Sequence, residues 1–207
     1  MALNAANIRV GAARIYMNVT APAVGAALAL NDEGVPASGV EVGLTEGESI
    51  FTYEVTFMDI NAEQSLSPVA VFATEERATI QFTMKEMVNA NIQDFLYSLV
   101  EVTENVSASP GGETDIFEGG RTCAGAIPLQ SVTLVTPSCG GPAPNLGANT
   151  IRFEYVMLFK AYQSEAAALR FAKSGDQLMK VTFKGVADVT RADGSTLFNL
   201  GVERWAS

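Results

Sequence analysis

Apolar and polar side chains alternate along four stretches of the chain, which is the two-residue period of a β-strand with one buried face. These stretches are 50–57, 78–84, 151–159 and 179–185. The side chains predicted to face the interior are Phe51, Tyr53, Val55, Phe57, Ile80, Phe82, Met84, Ile151, Phe153, Tyr155, Met157, Phe159, Val181 and Phe183. Because the alternation recurs in separate parts of the chain, it predicts a mainly β fold, built as an antiparallel β-sandwich or open barrel.

Shorter apolar runs predict further strands. A first strand is expected at 8–17, and a short strand at 69–73 is expected to be separate from the one that follows it. A strand at 127–136 is predicted to lie at an edge of the sheet, because Pro128 lacks the amide hydrogen that a central strand needs.

One helix is predicted at 87–99, where apolar residues recur at the spacing of a single helical face. The residues on this stripe are Val88, Ile92, Phe95, Leu96 and Leu99. Such a stripe packs against a sheet, so we expect the helix to flank it. The segment 163–173 is compatible either with a short helix or with the far end of a strand.

Three polar or small-residue segments connect these elements within what we expect to be a single domain, 1–207. Residues 18–38 are rich in Ala, Gly and Pro and form a long connection for a compact domain. We therefore interpret this segment, the arm, as one that reaches a neighbouring molecule. The segments at about 103–125 and 137–149 are predicted to be exposed loops, because Ser, Gly, Thr and Pro dominate them.

Acidic side chains outnumber basic ones and are concentrated in one part of the chain. The net charge is −10, and residues 32–118 hold 17 acids and two bases, whereas residues 119–207 hold six acids and nine bases. This balance argues against general nucleic-acid binding, which needs cationic groups to neutralise phosphates. The asymmetry indicates either an ordinary solvated surface or a directed one, with one acidic face and one neutral to basic face.

The residue types that usually carry catalysis or metal binding are missing or isolated. The chain has no histidine, and therefore lacks the commonest general base and zinc ligand. Cys123 and Cys139 match no zinc or redox spacing, and they are interpreted as two free thiols or, alternatively, as a disulfide. No phosphate-binding or nucleophile motif is present. We therefore expect no enzyme activity, no cofactor and no metal site.

Neither secretion nor a membrane is indicated. The first ten residues have no charged segment followed by an apolar run, so no signal peptide is predicted. The apolar stretch 19–30 is short and is broken by Pro22 and Gly25, so it is not expected to cross a bilayer.

Several segments occur in a distinctive order along the chain. They are RVGAARIY at 9–16, VGLTEGESIF at 42–51, INAEQSLSPV at 60–69, RATIQFTMKE at 77–86, NIQDFL at 91–96, MKVTFKGVAD at 179–188 and LFNL at 197–200. In this order they resemble the tail tube proteins, or major tail proteins, of tailed bacteriophages. The region around Cys123 and Cys139 and the Gly/Pro-rich loop after it have no counterpart in this resemblance.

The resemblance implies a β-sandwich with one flanking helix that assembles into hexameric rings stacked head to tail. Sheets of the six subunits then join into a continuous tube, through which double-stranded DNA passes without tight binding. Implied partners are further copies of the chain, the tail terminator, a distal tail or baseplate protein and the tape measure. The implied location is the tail of the virion, assembled in the cytoplasm of the bacterial host.

Two sets of residues become candidates on this interpretation. A channel lining that repels phosphates suits a polar face free of Lys and Arg. The lumen-facing candidates are Thr52, Glu54, Thr56, Thr79, Gln81 and Thr83. The arm residues expected to contact neighbouring subunits are Val19, Pro22, Val24, Leu28 and Leu30. The acidic segment 32–118 is also expected to meet the mildly basic segment 119–207 between stacked rings.

Other functions are compatible with the same sequence. One is a different phage structural part, such as a capsid decoration protein or a tail-completion ring, and another is the tube of a contractile tail or secretion machine. A monomeric secreted carbohydrate-binding β-sandwich is an alternative from another class. It would need an exposed aromatic platform, and the chain has a single tryptophan, Trp205.

Overall fold

Ten β-strands and no helix make up the part of the chain that the computed structural model describes. That part comprises residues 13–60, 67–85, 100–108, 112–118, 127, 129–137, 151–165, 178–191 and 196–204. The strands are β1 (Arg14–Met17), β2 (Val40–Glu41), β3 (Ile50–Ile60), β4 (Ala70–Met84), β5 (Val100–Ala108), β6 (Gly112–Glu118), β7 (Gln130–Pro137), β8 (Ile151–Gln163), β9 (Met179–Gly185) and β10 (Phe198–Arg204). The prediction of a mainly β fold is confirmed, whereas the helix predicted at 87–99 lies outside the described residues.

Eight strands form one antiparallel sheet. Their order is β2-β1-β7-β8-β9-β4-β3, and β10 pairs with β8 off this path. β8 pairs with β7 along one edge, and with β10 and then β9 along the other. A backbone bridge between Thr45 and Met84 joins the segment after β2 to β4, near the opposite end of the strand order.

One face of the sheet carries the larger apolar core. Ile80, Phe82 and Met84 of β4 are buried in it, as the alternation predicts, and Val181 and Phe183 of β9 join them. The rings of Phe82 and Phe183 stack with centroids 6.1 Å apart. Burying a large apolar side chain in this way contributes roughly 1.5–3 kcal/mol.

The opposite face of β1, β7 and β8 is covered by the arm. Val19 and Leu28 of the arm are buried there against side chains of β8. The buried β8 side chains on this face are Phe153, Tyr155, Met157 and Phe159. The predicted inward face of β8 is thus confirmed for these four residues, and the cover is a loop of the same chain. The side chain of Ile151 is not among the described ones.

The predicted inward face of β3 is wrong for a single chain. Phe51 and Val55 are only partly buried, Tyr53 is exposed, and Phe57 is 63% exposed. β3 lies at the end of the strand order, where Phe198 packs on its rings, at 5.2 Å from Phe51 and 5.1 Å from Tyr53, and Phe51 also contacts the edge of the larger core. Alternation marks a strand, but burial requires a second layer, and in the described part of the chain no layer reaches Phe57.

Two further strand predictions need correction. The segments predicted as separate strands at 69–73 and 78–84 belong to one strand, β4, whose 15 residues run without a break past Glu75 and Glu76. The strand predicted at an edge because of Pro128 is central, since β7 begins at Gln130 and pairs with both β1 and β8. Pro128 precedes the strand in the chain and therefore removes no hydrogen bond from its ladders.

The segment predicted as a loop at 103–125 contains a β-hairpin. β5 and β6 pair in antiparallel fashion, with register shifts between Glu101 and Thr103 and between Thr103 and Val106. Val and Thr in β5, and Ile and Phe in β6, favour strands. Their propensity competes with the turn-forming residues around them. The loop predicted at 137–149 lies, after Pro137, outside the described residues.

Candidate assembly surface

The longest pairing in the molecule is a ribbon formed by β3 and β4. All eleven residues of β3 pair with β4, from Ile50 opposite Gln81 to Ile60 opposite Ala70. β9 continues the sheet beyond β4 only along Thr79–Met84. The outer part of the ribbon therefore has two strands and no further neighbour among the described residues.

The outer end of this ribbon, which we call the ribbon tip (57–60 and 69–73), exposes apolar side chains on both faces. Register places Phe57 and Val71 on one face and Met58, Ile60 and Phe72 on the other. Each of these side chains is exposed, including Phe57 at 63% and Phe72 at 53%. A register shift after Thr56 marks a bulge, which re-aims side chains and increases the twist of a ribbon. A contiguous apolar patch of this kind marks an interaction site more often than an accident of the surface.

The lumen-facing candidates lie on one face of the ribbon and its neighbour β9. Thr52 pairs with Thr79, and Gln81 pairs with Thr182 of β9. Glu54 and Thr56 continue the same face outward, and Thr83 continues it inward. The three candidates on β3 are exposed and the three on β4 are half-buried, so the structure brings all six onto a single polar face.

The same face carries basic side chains that the linear sequence separates from it. Arg77 lies opposite Glu54, Lys184 opposite Thr79 and Lys180 opposite Thr83. The expectation of a face free of Lys and Arg is therefore wrong, because antiparallel pairing places β9 beside β4. Lys184 of the segment 119–207 also lies close enough to Glu75 of the segment 32–118 to contribute, after Arg77, to lowering its pKa, so the two segments meet within one chain.

Two charged side chains on this face, Arg77 and Glu75, are paired at short range. The Arg77 guanidinium donates two hydrogen bonds to the Glu75 carboxylate, Nε to Oε1 at 2.7 Å and Nη2 to Oε2 at 2.9 Å. This contact raises the pKa of Arg77 and lowers the pKa of Glu75. Both side chains are about half exposed, so the pair adds little stability. It does hold one cation and one anion in a fixed, neutralised arrangement.

The arm candidates are distributed between the interior and the surface. Val19 and Leu28 are buried, Leu30 and Pro22 are partly buried, and Val24 is exposed. Val19 and Leu28 are therefore occupied by contacts within their own chain. Of the five, Val24 offers the most surface to another molecule.

Side-chain hydrogen bonds fasten the arm to β7, β8, β10 and the turn that follows β9. The Tyr155 hydroxyl accepts a hydrogen bond from the Leu28 amide at 2.8 Å. Asn199 Nδ2 donates to the Ala26 carbonyl at 3.2 Å, and Arg191 Nη1 donates to the Pro22 carbonyl at 2.9 Å. Ser131 Oγ donates to the Val19 carbonyl at 2.6 Å. These bonds supply partners to backbone amide and carbonyl groups of the arm that would otherwise lose their hydrogen bonds to water where the arm packs on the sheet.

Between the arm and β10 lies an open cleft of about 700 Å³. The small residues Gly25, Ala26 and Ala27 form the arm side, and Leu200 and Val202 line the β10 side. Tyr155 also lines the cleft, opposite Gly201, where an added Cβ would overlap the tyrosine ring. Among the described residues β10 pairs only with β8.

A tight polar cluster holds the turn between β9 and β10. The Asp188 carboxylate accepts hydrogen bonds from Lys160 Nζ at 2.7 Å and from Thr190 Oγ1 at 2.7 Å. These bonds, that of Lys160 above all, lower the pKa of Asp188 from 3.8 to about 2. The Arg191 guanidinium lies 3.9 Å from the Phe159 ring centroid. We call this cluster a structural clamp, since Lys160 and Asp188 are paired with each other, although Nε and Nη2 of Arg191 are buried without a hydrogen-bond partner among the described residues.

Cys123 and Cys139 lie outside the described residues. Within the described ranges, no three His, Cys, Asp or Glu side chains are grouped closely enough to hold a metal ion. In the same ranges no helix has the length and hydropathy to cross a membrane.

Sequence reasoning missed the ribbon tip and the cleft. The signal for the tip was present in the run 69–73, Val-Ala-Val-Phe-Ala, where apolar residues are consecutive instead of alternating. Such a run indicates a strand with two apolar faces. The cleft left no signal, because it forms between segments more than 170 positions apart.

Comparison with known proteins adds no relative. No protein-family model matches the chain, and no curated protein matches it significantly.

Proposed function

We propose that this protein is a structural subunit that polymerises through its sheet into a tube of the phage tail kind. The observation that supports this most is β3, an eleven-residue strand most of whose apolar residues are exposed and whose outer edge lacks a partner among the described strands. Exposed, apolar edge strands promote pairing with another chain, and monomeric proteins usually block them. Here Phe57, Met58 and Ile60 leave the edge attractive to a second copy.

Assembly supplies the missing layer and edge. The strands form an open sheet in one chain, and joining such sheets between six copies closes a barrel or sandwich in which no edge is left free. The apolar side chains predicted to be buried, Tyr53 and Phe57, then find their cover in a neighbour. We propose hexameric rings stacked head to tail as the form of this assembly, with the exposed arm residue Val24 at a subunit contact.

The polar face of Thr52, Glu54, Thr56, Thr79, Gln81 and Thr83 is proposed to line the channel. Of its cations, Arg77 is neutralised by Glu75 of the same chain, whereas Lys180 and Lys184 lie opposite threonines. A lining made mostly of hydroxyls, with the acids Glu54 and Glu75 beside its cations, holds phosphates weakly, so we expect DNA to move along it without being held. The net charge of −10 per chain adds a long-range repulsion.

The proposal extends to partners and place as the resemblance implies them. The tube contacts a tail terminator, a distal tail or baseplate protein and a tape measure, and it forms in the host cytoplasm before becoming part of the virion. No catalytic step, cofactor or metal is part of this function.

Electron microscopy of the purified full-length protein at increasing concentration tests the proposal. We expect tubes of stacked rings, and a map of the tube with Glu54 directed to the central channel. A monodisperse monomer at every concentration would contradict the proposal, and closed rings without stacking would favour a tail-completion part. A map with Glu54 on the outer surface would overturn the channel assignment alone.

The lining is tested separately with a charge reversal. Tubes of a Glu54→Lys variant should retain duplex DNA at low salt and release it as salt rises, because free cations bind phosphates by counterion release. Glu48→Lys provides the matched control, since Glu48 is an exposed acid that precedes β3 and is not one of the six lining candidates. Equal DNA retention by the two variants would argue against the lining.

A further inference from the structure

The side chains of β3 are arranged almost symmetrically about its central residue, Val55. Residues at equal distances from Val55 form the pairs Glu54 and Thr56, Tyr53 and Phe57, Thr52 and Met58, Phe51 and Asp59, and Ile50 and Ile60. Two of these pairs are alike in kind, one aromatic and one of identical isoleucines. A strand with such symmetry is complementary to an antiparallel copy of itself, because each residue then lies opposite its counterpart.

The outer edge of β3 has backbone groups that can pair with such a copy. The Ile60 carbonyl accepts a hydrogen bond from the Val69 amide at 2.7 Å, and the Thr56 carbonyl accepts one from the Thr74 hydroxyl at 3.1 Å. The even-numbered residues of β3 are therefore directed towards β4. Since successive residues of a strand direct their backbone groups to opposite edges, the odd-numbered residues direct theirs outward. These outward groups have no partner among the described residues.

The other free edge of the ribbon, on the outer half of β4, is less suited to pairing. It carries three charged residues in succession, Glu75–Arg77, and the register shift that passes over Thr74 places the bulge on this strand. Charged side chains and bulges are features by which natural sheets block edge pairing. β3 keeps a regular edge, and it is therefore the edge at which we expect a second chain to bind.

The register of this pairing follows from hydrogen-bonding geometry and charge. Hydrogen-bonded residues of two identical edges must both be directed outward, so the two-fold axis passes through a residue. With the axis at Val55 all of β3 is paired, and no two acidic side chains lie directly opposite each other. An axis at Glu54 would set two carboxylates opposite each other, which is destabilising. An axis at Thr56 would set Asp59 opposite Tyr53 and leave Ile50 without a partner in β3.

The same register covers apolar side chains that a single chain leaves in water. Tyr53, at 42% exposure, lies opposite Phe57 of the second copy, at 63%, and cross-strand aromatic pairs stabilise sheets. Ile50 lies opposite Ile60 on the other face. The two ribbons also become one sheet in the order β4-β3-β3-β4. A ribbon of two strands is marginally stable in water, whereas three or more strands with an apolar face are stable.

We propose that β3 of the unassembled chain pairs with β3 of a second copy, antiparallel and with the two-fold axis at Val55. The contact is isologous, so one dimer uses both edges and leaves neither for a third copy. This inference goes beyond the proposed function, because it concerns the protein before assembly and holds whether or not tubes form. Because β3 is also the edge proposed to join subunits of the tube, the dimer is a reserve state that opens before a subunit is added.

A charge swap at the two-fold axis tests the contact. Val55→Lys sets two cations opposite each other and should raise the dissociation constant of the dimer about tenfold, as should Val55→Asp with two anions. An equimolar mixture of the two variants should recover the dimer, because unlike charges then face each other. Sedimentation equilibrium below the concentration of tube formation measures each dissociation constant. Val71→Lys is the matched control, since Val71 is an exposed valine of the ribbon that lies on β4.

Disulfide trapping tests the register without a change of charge. In a Cys123→Ser/Cys139→Ser background, a chain with Thr52→Cys is mixed with a chain carrying Met58→Cys under mild oxidation. These residues form a non-hydrogen-bonded pair across the interface, at a separation that a disulfide can span, so we expect a mixed disulfide. Phe72→Cys in place of Met58→Cys is the control. Phe72 is as exposed as Met58 and lies beside it, but one strand further from Thr52 of the other copy.

The outcomes separate the dimer from the tube. A wild-type chain that is monomeric below the concentration of tube formation would overturn the dimer and leave the proposed function standing. Dimers that are trapped at the expected pair in a chain that never forms tubes would support the dimer and contradict the proposed function. Equal trapping of the expected pair and its control, or no recovery of the dimer in the mixture of Val55→Lys and Val55→Asp, would overturn the contact through β3.

Discussion

The inner and outer halves of β4 follow different rules although they belong to one continuous strand. From Ala78 to Met84 buried and half-buried residues alternate strictly, whereas from Val71 to Arg77 every side chain is exposed. The inner half has β9 as a second neighbour and a core beneath it, and among the described strands the outer half pairs with β3 alone. The difference teaches that strand formation and burial are separate events, and it motivates our proposal of an interface at the outer half.

The two halves also differ in what they contribute to a single chain. The inner half stabilises the monomer through contacts with β9, β1 and β7. The apolar residues of the outer half are exposed in the single chain, so we expect them to contribute little to its stability. Two phenylalanines on this strand, Phe82 and Phe72, allow a matched measurement of this difference.

The largest effect is expected in the inner half. Phe82→Ala should reduce the free energy of unfolding by about 3–5 kcal/mol, because it empties a fully buried site and removes the stack on Phe183. Urea unfolding of the unassembled protein measures it. A loss under about 1 kcal/mol would mean that the inner half is not the rigid core described above.

A smaller effect is expected at Gly201 of β10, beside the apolar side chains of β8 that the arm covers. Gly201→Ala should cost about 1–3 kcal/mol, since the added methyl group collides with the Tyr155 ring. Removing the ring with Tyr155→Ala should abolish the additional cost of Gly201→Ala, which a double-mutant cycle measures. Additive costs would show that the two residues do not compete for the same space.

The clamp at Asp188 makes the stability of the folded chain depend on pH. Because the pKa of Asp188 is lowered from 3.8 to about 2 in the folded chain, its stabilisation is complete above about pH 4 and is lost as the pH falls toward 2. Asp188→Asn should therefore lower the melting temperature at pH 7 and flatten the fall between pH 4 and 2. Glu48→Gln is the control. If the melting temperature fell equally between pH 4 and 2 in the wild type and in Asp188→Asn, the clamp would be contradicted.

The smallest effect on the monomer is expected in the outer half. Phe72→Ala should change the free energy of unfolding by no more than about 0.5 kcal/mol at concentrations below assembly, because its side chain is 53% exposed. The same urea titration used for Phe82→Ala measures it. A large loss would show that the tip is packed within its own chain, and it would remove the contrast between the halves.

Much of the strand content followed from side-chain periodicity. The inward faces of the inner half of β4, of β8 and of β9 were predicted correctly. A second layer packs on each of these strands, so their alternating apolar side chains are buried. The same rule failed for β3, whose alternation is as regular. The merging of two predicted strands into β4 and the central position of β7 were missed as well, since pairing depends on segments far away in the chain.

The candidate site shows the same limit. The six polar candidates of β3 and β4 were grouped correctly on one face, because cross-strand neighbours in a hairpin follow from local register. Lys180 and Lys184 were not placed with them, because β9 is about 100 positions further along the chain. The charge of one sheet face therefore cannot be read from a single stretch of sequence, because distant strands contribute side chains to it.

By itself, the sequence determined the mainly β character, the one-sided burial of the strands that lie within the sheet, and the acidic excess of the whole chain. These properties depend on the period of neighbouring side chains and on composition, which are local or additive. Only the tertiary structure decided that the arm folds onto its own sheet, that Lys and Arg share the polar face, and that the ribbon tip and the cleft are exposed together. Those properties depend on which distant segments become neighbours, and that is set by the packing of the whole chain.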